Sequence, residues 1–192
     1  MALPDSKHAG PVLSGPEYRS RYDGGVRTED IAYIVLHDTE SGPNTAKAVA
    51  NYGRVGDPDN KVSWHFVVDD NFLIRCVPDD VVAWTAPPKN SDGLHIEIVG
   101  RASWLKLLWF VHQATLKRAA WQVARWCVKH NIPAKYVTDR DLKFGVPGII
   151  THAQVSRVFK ESTHTDPGTG FPLGYFLYLV KRRVQWLMEA DG

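Results

Sequence analysis

Cysteine is scarce in this chain: two thiols, Cys76 and Cys127, among 192 residues. Neither has a Cys-x-x-Cys neighbour, so a disulfide framework is unsupported. Both lie in apolar periodic runs and read as buried thiols of a chain made in a reducing compartment. Long apolar runs are missing as well. Nothing approaches the roughly 18 residues of a membrane span, and the opening Met-Ala-Leu-Pro-Asp-Ser-Lys has no apolar signal-peptide core. No Lys/Arg run stands out, and the formal net charge is only +2. Nucleic-acid binding is therefore not indicated, although weak attraction to an anionic polymer remains open. Internal repeats and low-complexity tracts are absent.

What remains is an ordinary globular composition, 44% hydrophobic and 23% charged. The length suits one domain with a tail. Residues 1–27, rich in Gly, Pro, Ser and charge, read as a linker or arm, and 28–192 as the domain. Seven Trp are present; most belong in the core, and some could line a groove.

Ile31 to His37 is a continuous β-prone run, as expected of a strand buried on both faces, and Asp38 to Pro43 breaks it. Asn44 to Tyr52 is a short helix candidate. Ser63 to Asp69 and Phe72 to Val77 form two strands around a tight Asp70-Asn71 turn. Leu94 to Gly100 alternates, with Leu94, Ile96 and Ile98 on one face and His95, Glu97 and Val99 on the other. From His112 the period becomes helical through Leu116, Ala119, Ala120, Val123, Ala124 and Cys127, ending near Pro133. A long loop follows, and a last helix runs from about Leu173 to Met188. Strands followed by packing helices predict an α/β fold, a central mixed sheet flanked by helices.

Eight histidines invite a search for a metal site. His8 and His130 read as exposed bystanders, His112 as a helix-opening residue, and His65 and His95 as hydrogen-bonded strand residues. His37 and His152 each end an apolar run; taken singly, each reads equally as a satisfied core histidine or a ligand. Asp166, fourteen positions after His152, sits in an Asp-Pro-Gly turn that holds its carboxylate out of regular structure. Alone it reads as a turn or cap residue. Together the three form the set of a catalytic zinc, which takes about three protein ligands and keeps one position free. Glu97 has the fixed direction a general base needs, and reads equally as a solvated strand residue.

Six stretches occur in the order and rough spacing of one family: Ile34-Val35-Leu36-His37, Ser63 to Asp69, Ala83-Trp84-Thr85-Ala86, Leu94 to Ile98, Gly148 to His152, and His164-Thr165-Asp166-Pro167-Gly168. From about Ile31 to the last helix the chain resembles the zinc-dependent N-acetylmuramoyl-L-alanine amidases of the type 2 amidase and peptidoglycan-recognition-protein fold. The short, tailed form is similar to the amidase domain of a bacteriophage endolysin. The resemblance implies Zn²⁺ on His37, His152 and Asp166, with Glu97 activating water. It also implies peptidoglycan as the partner, cut between N-acetylmuramic acid and L-alanine. His164 falls where the family often carries a lysine that steadies the oxyanion. Thr85 replaces a histidine frequent after Ala-Trp, and His95 replaces a small residue. Trp84, Thr85 and His95 are accordingly the expected substrate contacts. A lysin of this type would be made in the host cytoplasm, reach the wall after holin-dependent release, and leave room for further lysin domains.

Two other classes fit parts of the sequence. A zinc-free peptidoglycan-binding module on the same fold typically loses a ligand, whereas all three types are present here. A Cys/His hydrolase would need Cys76 or Cys127 in a basic, exposed setting, which their apolar runs do not offer.

Overall fold

A computed structural model describes residues 11–190. Its centre is a six-stranded sheet in the order β1-β4-β3-β5-β2-β6. The strands are β1 (Val12–Leu13), β2 (Tyr33–Asp38), β3 (Phe66–Val68), β4 (Leu73–Arg75), β5 (Gly93–Ile98) and β6 (Gly148–Thr151). β3 and β4 form the antiparallel hairpin expected from the sequence, and β5, β2 and β6 run parallel. The mixed sheet agrees with the predicted class.

The helices are α1 (Ala46–Val55), α2 (Lys106–Val111), α3 (Gln113–Lys129), α4 (Asp139–Lys143), α5 (His152–Phe159) and α6 (Leu173–Ala190). Helices α3 and α6 cover one sheet face. There Leu94, Ile96 and Ile98 of β5 and Ile34 and Leu36 of β2 meet Leu116, Val123, Phe176 and Val180 in the main core. Truncating one such buried aliphatic to Ala typically costs about 2–5 kcal/mol.

The opposite face is covered in two pieces. Helix α1 packs through Ala46 and Ala50 onto Val67 and Ile74, while Val155 of α5 packs onto Tyr33, Val35 and Ile150. Between these two small cores, at the ends of β2 and β5, lies a gap lined by residues of both strands. That gap is where the site lies.

The stretch expected as one long loop after Pro133 contains α4, β6 and α5. Each is eight residues or shorter, too short for a hydrophobic period to show; α2, at six residues, escapes for the same reason. The expected arm over 1–27 divides. Residues 1–10 lie outside the described residues, and with them His8. Residues 11–27 run along the sheet: Val12 and Leu13 pair with Leu73 and Ile74, and Arg27 donates to the carbonyls of Asp79, Ser91 and Gly93. Among the described residues no helix is long and apolar enough to cross a membrane.

Candidate metal centre and active-site cleft

His37 is the fifth residue of β2 and pairs in register with Glu97, the fifth of β5. The next residue on each strand, Asp38 and Ile98, closes the element, so both side chains stand at the carboxyl end of a parallel sheet, where such folds place ligands. His152 arrives from the neighbouring strand. β6 ends at Thr151, whose hydroxyl caps α5 by accepting from the Gln154 N–H at 3.2 Å. His152 is thus the first residue of a capped helix rather than part of a loop.

Asp166 is brought in by its turn. Its carbonyl accepts from the Ala153 N–H at 2.9 Å, tying the turn to the start of α5. Gly168 has φ +77°, and a Cβ there would lie 2.1 Å from the Ala102 carbonyl oxygen. Only glycine lets this turn settle against the strand-to-helix connection after β5.

The three side chains converge although His37 lies 115 positions before His152 along the chain. His37 Nδ1 is 3.2 Å from His152 Nδ1 and 3.2 Å from an Asp166 carboxylate oxygen. His152 Nδ1 is 3.2 Å from the other oxygen. All three residues are buried. Burial holds His37 down to about 4, against the pull of Asp166, so its imidazole is neutral near pH 7. Burial alone would raise the Asp166 carboxyl, but hydrogen bonds and charge from His152 and His37 hold it below the usual carboxylate range. Two imidazole nitrogens and the two oxygens of one carboxylate thus face one another across a space that a cation could fill.

Spacings of this size fit a tetrahedral zinc, whose ligand atoms at about 2.0–2.1 Å lie roughly 3.3 Å from one another. The donor set of two imidazoles and one carboxylate suits zinc, and three ligands would leave a position open.

Glu97 is buried beside them. Burial, then Asp166, then Asp38, push its carboxyl well above the usual range. Asp38 is pushed up to about 7 by burial, opposed by the Glu40 N–H that donates to it at 3.0 Å. Sequence reasoning treated Asp38 only as part of the loop after β2. The signal that finds it is its burial with one oxygen unpartnered, and burial is invisible in a strand-end Asp before folding.

His164 stands at the mouth with its side chain 60% exposed. Its ring stacks on His152 with centroids 4.0 Å apart, and its Nδ1 is 3.3 Å from Asp166. An exposed imidazole at the edge of the ligand cluster can reach an incoming molecule, as a group acting on substrate must.

These residues open into a cleft of about 560 Å³ that runs from the cluster along α1, past Val49, Tyr52, Asn60, Trp64 and Thr85. Of the three expected substrate contacts, Thr85 lines it. Trp84 does not; its indole packs over Gly24 and leaves the Trp64 ring to face the cleft. His95 has no exposed surface. It sits behind His37, its Nδ1 3.1 Å from His37 Nε2, because the alternation of β5 points it to the same face two residues deeper than Glu97.

Other histidines also have partners. His112 lies 2.6 Å from Asp70 and joins α2 to α3, and His130, expected as an exposed bystander, lies 3.1 Å from Asp79. Cys76 and Cys127 are free and buried, and burial pushes both thiols up to about 12.

Comparison with known proteins decides the family. The model of the Amidase_2 family, N-acetylmuramoyl-L-alanine amidase, matches residues 27–169. The chain belongs to this amidase family. It is 28% identical over 111 residues to the N-acetylmuramoyl-L-alanine amidase CwlH of Bacillus subtilis, covering 55% of this chain and 42% of CwlH. The chain thus spans less than half of that curated relative. In fold it is similar to the Staphylococcus aureus hydrolase AmiA, solved with its ligand, at a TM-score of 0.75 and 17% identity over 94% of this chain and 86% of AmiA. A mutant endolysin from Bacillus subtilis superposes at a TM-score of 0.59 and 19% identity, covering 88% of this chain and 98% of the endolysin. The family match contains His37, Glu97, His152 and Asp166, so the whole cluster lies inside the amidase domain.

Proposed function

We propose that this amidase-family protein is a zinc-dependent peptidoglycan hydrolase. It would cleave the amide between the lactyl group of N-acetylmuramic acid and L-alanine of the stem peptide, in the manner of a phage endolysin acting on the wall after release. The reading rests above all on one arrangement: His37 and His152 bring their Nδ1 atoms 3.2 Å apart, and each lies 3.2 Å from an Asp166 carboxylate oxygen, beside a buried carboxyl in the same cleft.

His37 Nδ1, His152 Nδ1 and Asp166 would hold the zinc. When bound, it supplies Lewis acidity toward the scissile carbonyl and makes water more acidic. Glu97, ionised beside a cation, takes a proton as water oxygen bonds to the carbonyl carbon. It then hands that proton to the L-alanine nitrogen as the C–N bond breaks, leaving a lactyl carboxylic acid and a free amine, and passage of the second water proton from acid to amine gives carboxylate and ammonium. His164 donates to the developing oxyanion; removal of one such donor elsewhere costs about 3–4 kcal/mol in kcat. Thr85, Tyr52, Asn60 and Trp64 give the cleft the mixed polar and aromatic wall that a glycopeptide needs.

Mass spectrometry of peptidoglycan digested with and without chelator tests the reading. Free L-alanine amino termini on intact glycan strands, appearing only without chelator, are expected. Glycan cleavage, or digestion indifferent to chelator, would overturn it, and binding without any cleavage would make the protein a wall-binding module.

A further inference from the structure

Three buried imidazoles cross the sheet in a column: His65 just before β3, His95 on β5 and His37 on β2. His65 and His95 stack with their planes 12° apart, and neither lines the cleft. Burying polar rings is costly unless each is hydrogen-bonded, so their partners specify something.

A neutral imidazole carries one N–H and one bare nitrogen, and its neighbours decide which is which. The Lys89 carbonyl oxygen lies 3.1 Å from His95 Nε2 and can only accept. His95 Nε2 therefore carries the hydrogen, and His95 Nδ1 is bare. That bare nitrogen lies 3.1 Å from His37 Nε2, which must donate to it. His37 Nδ1 is then left without hydrogen, with its lone pair aimed at His152 and Asp166. The His95 backbone N–H donates to His65 Nδ1 at 3.0 Å, which puts the His65 hydrogen on Nε2; there the Val81 carbonyl accepts at 3.1 Å, while the Arg27 guanidinium, itself a donor, lies 3.2 Å away.

Gly93 permits the first link. A Cβ at Gly93 would lie 2.3 Å from the Lys89 carbonyl oxygen and 3.1 Å from His95 Nε2, so a side chain there would displace the carbonyl that orients the ring. The other ligand ring has no equivalent, since His152 Nε2 is buried without a partner. The ordering of the cluster falls on His37.

We propose that His95 is a positioning residue for the metal centre: oriented by the Lys89 carbonyl, it locks His37 as the Nε2–H tautomer and keeps Nδ1 bare for zinc. In the other tautomer, His37 Nδ1–H would donate to Asp166 and satisfy the pair without any metal. His95 opposes that collapse. The inference deepens the zinc reading above and rests on it for the identity of the ligand.

The test uses the full chain with ¹⁵N-labelled histidine, stripped of metal. Ring nitrogen–proton correlation spectra are expected to show His37 and His95 both as Nε2–H tautomers. His95→Phe, which keeps a ring but offers no acceptor, should release His37 into a mixture and weaken zinc binding at least about tenfold in competition with a chromophoric chelator. His95→Asn, whose Oδ1 can accept from His37 Nε2, should restore zinc affinity to within about threefold of wild type and restore the tautomer. A wild-type His37 found as the Nδ1–H form would overturn the proposal. So would His95→Phe binding zinc as tightly as wild type, or folded His95→Asn binding as weakly as His95→Phe. A wild-type chain that binds no zinc at all overturns the metal reading instead, and the tautomers of the metal-free protein still decide the part played by His95.

Discussion

Replacing Glu97 by Gln separates chemistry from structure more cleanly than any other change in the cleft. Gln keeps the shape of the side chain and removes its ability to take a proton. Loss of a general base typically lowers rate about 10²–10⁴-fold, or about 2.7–5.5 kcal/mol at about 1.36 kcal/mol per tenfold. Stability should move the other way. Burial, with Asp166 and Asp38 nearby, raises the Glu97 carboxyl well above its ordinary value in the folded protein. A raised folded value means that its contribution to stability is fully present below the unfolded value and is lost as pH rises through the folded one. In metal-free protein Glu97 therefore costs stability toward neutral and alkaline pH, and Gln removes that cost. Glu97→Gln should retain zinc, release stem peptide about 10²–10⁴-fold more slowly, and, with chelator at pH 8, melt at or above the wild-type temperature with a flatter pH dependence. The assays are peptide release from purified walls, metal content, and thermal unfolding by circular dichroism across pH. Release at the wild-type rate would refute the assignment of Glu97 as base; zinc lost together with activity would make it a structural residue.

The other expectations concern the metal and its surroundings. Chelation should lower the melting temperature and zinc should restore it, because His37, His152 and Asp166 come together as ligands only in the folded state; zinc at about 100 times its Kd would contribute about 2.7 kcal/mol, read by calorimetry. His164→Ala should lower kcat about 10²–10³-fold with zinc retained. His164→Lys, which keeps an N–H donor at the mouth, should recover most of the activity that His164→Ala loses; a lysine variant as slow as the alanine one would remove donation by this position from the mechanism. Joint Cys76→Ala and Cys127→Ala substitution should leave wall digestion unchanged, since both thiols are buried and pushed up to about 12; abolished activity in a folded double variant would revive a thiol mechanism.

The chain itself marks out the elements long enough to show a period. β2 and β5 are uninterrupted or alternating runs, and α3 and α6 repeat apolar residues over 17 and 18 positions, so their place in a mixed α/β sheet could be read in advance. His37 and His152 can be nominated because each ends an apolar run, and Asp166 because it sits in an Asp-Pro-Gly turn, with the order of all three resembling that of a family. Folding alone could decide what depends on depth and neighbours. His95 and Glu97 occupy the same face of one strand two residues apart, and no pattern tells that one reaches the cleft while the other is sealed behind His37 against Lys89. Trp64 and Trp84 are both aromatic loop residues, and only packing assigns the first to the cleft and the second to Gly24. Short elements such as α5 arise from one cap and a few tertiary contacts, not from a repeat. Spacing along the chain could nominate ligands, but two imidazole nitrogens 3.2 Å apart, each 3.2 Å from one oxygen of the same carboxylate, exist only once β2, β6 and the Asp166 turn are held together by a common core.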